Sequence, residues 1–246
     1  MDKAEFNQGL LAFLQASPTP FHAVANLSDA LRAGGFVYLP EDTAWHMQAA
    51  GRYYTTRNGS SLVAWVKGRA AETATGIRLV GAHTDSPRLI AKPNPARIKE
   101  FFQVGVEVYG GALLNPWFDR DLSLAGRVVF RHRPSAQLHQ ALIDFRAPIA
   151  VIPSLAIHLD RDANQNRSVN PQTDIPPIIC VAGEHQPQDF SALIATQLSD
   201  YGAPDDLDIL AHELSFYDTQ PPALIGLYGE FIAAARLDNL LSCYTG

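Results

Sequence analysis

The sharpest chemical signal in the sequence is His83-Thr84-Asp85, which follows directly on the β-prone run Gly76-Ile77-Arg78-Leu79-Val80-Gly81-Ala82. Residues two apart in an extended chain point to one face, so His83 and Asp85 would project together from a strand end. Ligands bind at strand ends of α/β sheets. An imidazole that ligates a metal also needs its other nitrogen fixed by an acceptor, commonly a carboxylate. With 8 histidines in the chain, the same tripeptide also arises by chance as an ordinary loop pair. Asp238, in Arg236-Leu237-Asp238-Asn239-Leu240, reads in isolation as a helix N-cap or helix-dipole partner. A carboxylate mounted at a helix start could equally bridge two metals with its two oxygens. His158, in Ala156-Ile157-His158-Leu159, would stand half-buried in an alternating strand. Trp117-Phe118-Asp119-Arg120-Asp121 suggests a turn with Arg120 between two acids, a surface cluster of little energetic weight. No Gly-x-Ser-x-Gly elbow and no glycine-rich phosphate loop occurs, which leaves serine-nucleophile and nucleotide chemistry without a motif.

The elements that must position these residues are partly legible. Phe6, Leu10, Phe13 and Leu14 recur at helical spacing, and Ser17-Pro18-Thr19-Pro20 interrupts them. Thr19 suits an N-cap and Pro20 a first helical position, opening a second helix through Phe21, Val24, Leu27 or Ser28, and Leu31 to Gly34-Gly35. Asn58-Gly59 between Arg52–Arg57 and Leu62–Val66 predicts a hairpin, because a tight turn there needs φ > 0 at both central residues. The run 76–82 predicts a third strand that ends near Pro87. From about Lys92 the pattern changes: Pro93, Pro95 and Lys99 mark a polar connection. Short strands are expected after it at Val104–Tyr109, Gly126–Arg131, Ile149–Ile152, Leu155–Leu159 and Pro177–Val181. One helix is expected at Asp189–Tyr201, and helical character returns after Gly229. The last helix is barely begun at Gly246, so the chain reads as an N-terminal fragment.

Composition narrows the classes. The 246 residues are 47% hydrophobic and 18% charged, with 17 glycines and 17 prolines, which describes a folded chain of one or two domains. The net charge of −6 carries no basic stripe for phosphates, so no nucleic acid is expected as a partner. No apolar run reaches the ~20 residues that span a bilayer, so no membrane is expected either. The N-terminus lacks a secretion signal. Two cysteines, Cys180 and Cys243, are too few for a disulfide framework, and together these features point to a reducing, cytoplasmic location.

The ordered segments Ser17–Val24 (SPTPFHAV), Gly81–Pro87 (GAHTDSP), Trp117–Val128 (WFDRDLSLAGRV), Ala156–Leu159 (AIHL), Glu213–Thr219 (ELSFYDT) and Glu230–Cys243 (EFIAAARLDNLLSC) together resemble the aspartyl aminopeptidase family of zinc metallopeptidases. The resemblance runs along essentially the whole chain. It implies an α/β fold: a three-layer α/β/α catalytic domain, truncated here, with an inserted β-rich oligomerisation domain. Residues 1–92 would be the first part of the catalytic domain, 93–229 the insert and 230–246 the start of the return. The resemblance makes His83 a metal ligand, Asp85 the supporting catalytic acid, Asp238 the bridge between two zinc ions, and His158 an active-site residue acting across a subunit contact. It implies peptide substrates with N-terminal Asp or Glu and a homo-oligomer, a dodecamer in the family. The family's Glu-Glu pair, a further Asp ligand and a final His ligand lie beyond residue 246 and have no counterpart here. A noncatalytic assembly chain of the same fold is the alternative. If His83 and Asp238 serve one ion, their ligand atoms must stand roughly 3–4 Å apart.

Overall fold

The computed structural model describes residues 2–69, 76–98, 100–183 and 187–246; Lys99 lies outside them. In chain order the elements are α1 (Lys3–Ala16), α2 (Pro20–Ala33), β1 (Val37–Tyr38), β2 (Arg52–Arg57), β3 (Ser61–Val66), β4 (Arg88–Ile98), β5 (Phe101–Tyr109), β6 (Leu122–His132), β7 (Leu138–Asp144), β8 (Ile178–Val181), α3 (Phe190–Asp200), β9 (Leu207–Asp218), β10 (Ala223–Ile225), β11 (Phe231–Ala233) and α4 (Leu237–Thr245). They divide into two compact units, Met1–Ser86 with Pro221–Gly246, and Pro87–Gln220. A border after Lys92 would cut β4, which is hydrogen-bonded to both β5 and β9, and one after Gly229 would separate β10 from its partner β11. The unbroken ladders place the borders at 86/87 and 220/221.

In the first unit Asp2 opens α1 by accepting the Glu5 N–H at 2.8 Å, and Thr19 caps α2 with Pro20 in its first turn. Leu10 and Leu14 of α1 pack with Ala23 of α2 and Leu240 of α4, ringed by Phe6, Phe13, Ile232 and Tyr244. The buried stripe of α2 runs through Ser28 rather than Leu27. Asn58 and Gly59 take φ of 53° and 65°, and β2 and β3 pair from Arg57–Ser61 outward as the dipeptide predicts. With β1 they form a three-stranded sheet. α4 is kinked at the non-helical Asp238 and Asn239, and it is seated through Leu240.

The run 76–82 departs from expectation. It joins no ladder, and Ile77 and Leu79 are 92% and 87% exposed. β-Propensity mostly measures packing against neighbours, and no strand among the described residues stands beside this one.

The second unit is a six-stranded antiparallel sheet in the order β7-β6-β9-β4-β5-β8. Phe190, Ile194 and Leu198 of α3 share its core with Leu124, Val128, Leu214 and Phe216. Its central strand, β9, shows no apolar run in the sequence because Asp208 and Glu213 interrupt it. In the sheet those acids lie across from Arg131 and Arg127 of β6 and pair with them. Pro93 and Pro95 sit where the β4–β5 register shifts, between Ala91 and Ala96, so the expected connection is instead a bulged strand. Residues 149–152 make only isolated bridges, Leu122–Ala150 and Val151–Ile178.

Gly126 is required where β6 crosses β9. A Cβ there would stand 2.0 Å from the Glu213 carbonyl oxygen, at a φ of 153°. Neither backbone can yield without breaking the ladder. Gly126→Ala is expected to destabilise the second unit by at least the ~1–3 kcal/mol of ordinary overpacking, seen as a lower urea midpoint. An unchanged midpoint would refute this crossing.

Candidate metal centre

The segment 83–86 lies outside any helix or strand and is tied down at two points within the first unit. Thr84 Oγ1 donates to the Ser60 carbonyl at 2.8 Å, and buried Ser86 donates from Oγ to the Asp238 carbonyl at 2.9 Å. Asp238 lies in the first turn of α4, with extended φ/ψ of −86° and 106°. Arg236 before it has φ 63°, and its guanidinium donates from Nε to Ser17 O at 3.1 Å and from Nη2 to Leu14 O at 3.3 Å. A cation on the last carbonyls of α1 is favoured by the helix dipole, and it anchors the turn that carries Asp238.

His83, Asp85 and Asp238 are thereby brought together. His83 Nδ1 donates to the Asp85 main-chain carbonyl at 2.9 Å, with the Asp85 carboxylate 3.3 Å away. A carbonyl only accepts, so Nδ1 carries a hydrogen, and Nε2 is the ring nitrogen turned toward α4. That nitrogen faces Asp238 Oδ1 at 3.3 Å. A proton or a metal cation between the two atoms would join them. Two donors at ~2.0–2.1 Å from one tetrahedral zinc stand about 3.3 Å apart, and N plus O is a donor set zinc accepts. His83 and Asp238 are 52% and 91% exposed, and an exposed ion pair is worth at most about 1 kcal/mol. Stability is therefore not what this pairing supplies. The Asp238 carboxylate caps no helix N–H among the described residues, so the N-cap reading does not hold.

Other expectations change. Ala156–Leu159 is a turn, not a strand, closed by Leu159 N–H to Ala156 O at 2.8 Å. It leaves His158 exposed on the second unit, away from any sheet ladder. Arg120 does not sit between Asp119 and Asp121. It turns to Asp218 at 3.5 Å and to Gln220. Asp119 instead accepts the Ser154 N–H, which with Arg167 nearby holds its carboxyl below the usual range. Both cysteines are free. Cys243 donates from Sγ to the His83 carbonyl at 3.3 Å, and burial, with Asp85 nearby, pushes its thiol up. Ser86, Arg236 and Cys243 carry no signal as site residues in the sequence, because their partners lie 152, 219 and 160 positions away. Among the described residues, no group of three or more His, Cys, Asp or Glu is arranged to hold a metal. His83 and Asp238 thus fit as part of a zinc site and not the whole of one.

The mixed α/β chain, with His83, Asp85 and Asp238 drawn together beside α4, is placed in a family by comparison with known proteins. The profile of the aminopeptidase I zinc metalloprotease (M18) family matches residues 13–246, and the chain belongs to that family. It is 58% identical to the probable M18 family aminopeptidase 2 of Pseudomonas fluorescens (strain Pf0-1) over 246 residues, 99% of this chain and 57% of that protein. Among solved structures, Chaetomium thermophilum mApe1 superposes with a TM-score of 0.84 at 34% identity, covering 96% of this chain and 56% of that one. A yeast mApe1 dodecamer gives 0.77 at 25% identity, covering 97% and 56%. The fold is thus the mixed α/β fold of M18 aminopeptidases, and the chain spans little more than half the length of the relatives it matches. No helix among the described residues is long and apolar enough to cross a membrane.

Arg236→Ala removes a charged donor from two carbonyls, and bonds to charged groups are each worth about 1.5–3 kcal/mol. Urea unfolding of the chain is expected to register a loss in this range, with part recovered by Arg236→Lys, whose ammonium reaches one carbonyl at a time. Identical stability of Arg236→Ala and the unaltered chain would show that the α1 anchor is idle.

Proposed function

We propose that this chain supplies the first part of the metal site, and the assembly unit, of a zinc-dependent aminopeptidase that removes N-terminal Asp or Glu from peptides. The observation that carries the reading is the approach of His83 Nε2 to Asp238 Oδ1 at 3.3 Å. In this reading His83 and Asp238 would hold zinc, with the Asp238 carboxylate shared between two ions. Zinc, when bound, lowers the pKa of its water to near 7 and polarises the scissile carbonyl. Asp85 keeps the His83 hydrogen on Nδ1, so that the Nε2 lone pair is committed to the ligand side. His158 serves the active site across a subunit contact, which its place on an exposed turn supports. Residues 87–220 carry the assembly into a homo-oligomer, and the dodecamer of the yeast relative supports that. The preference for acidic residues and a cytoplasmic location rest on the sequence features and the resemblance alone.

One observation favours a second reading, a noncatalytic assembly chain: no group of three or more ligating side chains forms among the described residues. Hydrolysis assays separate the two. The 246-residue chain with zinc is expected to show no turnover of an N-terminal aspartyl peptide, since three or four protein ligands are needed to hold the ion firmly. Loss of a general base alone typically costs about 10²–10⁴ in rate. A chimaera completed with the remaining segment of the Pseudomonas fluorescens relative is expected to be active and to lose activity to a chelator. A folded chimaera without activity would support the assembly chain. Chelator-sensitive turnover by the 246-residue chain would contradict the division of the site. Residues 87–220 expressed alone are expected to sediment as an oligomer at micromolar concentration, and a monodisperse monomer would remove their assembly role.

A further inference from the structure

Each of the two facing residues is gripped by its own main-chain carbonyl, and each grip comes from the other segment. Ser86, next to Asp85, donates its hydroxyl to the Asp238 carbonyl at 2.9 Å. Cys243, one turn further along α4, donates its thiol to the His83 carbonyl at 3.3 Å. We propose that Ser86 and Cys243 form a reciprocal clasp of two positioning residues, which sets the spacing between His83 Nε2 and Asp238 Oδ1.

The physical need is plain. His83 Nε2 and Asp238 Oδ1 face each other at 3.3 Å, and both side chains are exposed, so packing does not restrain them. The segment 76–82 leading to His83 is unpaired and adds no ladder. Thr84 ties the segment to Ser60, and the Arg236 guanidinium ties the α4 turn to the end of α1. Within this set of contacts, the clasp bonds are the ones that join the His83 segment to the Asp238 segment. Groups that orient metal ligands typically change metal affinity by about 10–100-fold when removed.

The proposal rests on the metal-ligand reading for its purpose but not for its geometry, so the test has two arms. In the first, without metal, the His83 ring resonances of the isotope-labelled chain are compared before and after Asp238→Asn. A clear change is expected in the unaltered background and its loss in Ser86→Ala/Cys243→Ala. Ser86→Thr/Cys243→Ser, which keeps both donors, should restore it and serves as the control for folding. An equal response in the clasped and unclasped backgrounds would overturn the clasp. In the second arm zinc is titrated, and the midpoint at the His83 ring is expected to rise about tenfold in the alanine pair. No zinc response at that ring in any background would overturn the ligand reading, while the first arm would still decide the clasp.

Discussion

The arrangement turns on the approach of His83 Nε2 to Asp238 Oδ1 at 3.3 Å. Folded proteins do not hold such a contact at an exposed position for its own stability, because water would solvate both groups at no cost. Here the backbone on both sides is fixed by bonds to carbonyls. Ser86 and Cys243 hold the two segments to each other, Arg236 holds the α4 turn to the end of α1, and the Asp85 carbonyl sets which imidazole nitrogen is bare. The apolar packing of Leu10, Leu14, Ala23 and Leu240 makes that anchor rigid by seating α1, α2 and α4 on one another. A core of modest size thus supports a polar site at its edge.

The second unit answers a different problem. Its sheet is antiparallel throughout, and its central strand carries acids in mid-run. Arg127 opposite Glu213 and Arg131 opposite Asp208 let β9 stay central while polar on one face, and Gly126 lets β6 approach it closely. The exposed turn at 156–159 projects from this frame, whereas the loop from Gly110 to Asp121 packs Leu114, Trp117 and Phe118 against its core.

How much of this is legible in the sequence follows from the range of the forces involved. Caps and turns act over three or four residues, so Asp189, Thr19 and Asn58-Gly59 announce their elements locally. The helix faces are legible for the same reason, down to a choice between Leu27 and Ser28 that only packing resolves. β9 escapes a reading of the sequence because its partners, not its own composition, make it a strand. The run 76–82 has the propensity of a strand, but a ladder needs a neighbour. His83 and Asp85 stand out as a local pair, whereas Asp238 stands out only through the resemblance to a family. The residues that hold them give no local sign, because a serine, an arginine and a cysteine acquire those roles from contacts more than 150 positions away.

The most direct measurement is anomalous diffraction at the zinc edge from crystals of this chain equilibrated with zinc. An anomalous peak is expected within about 2 Å of both His83 Nε2 and an Asp238 carboxylate oxygen, with His83 Nδ1 still bonded to the Asp85 carbonyl. A zinc peak elsewhere, with His83 and Asp238 parted and no density between them, would contradict a shared metal at this pair.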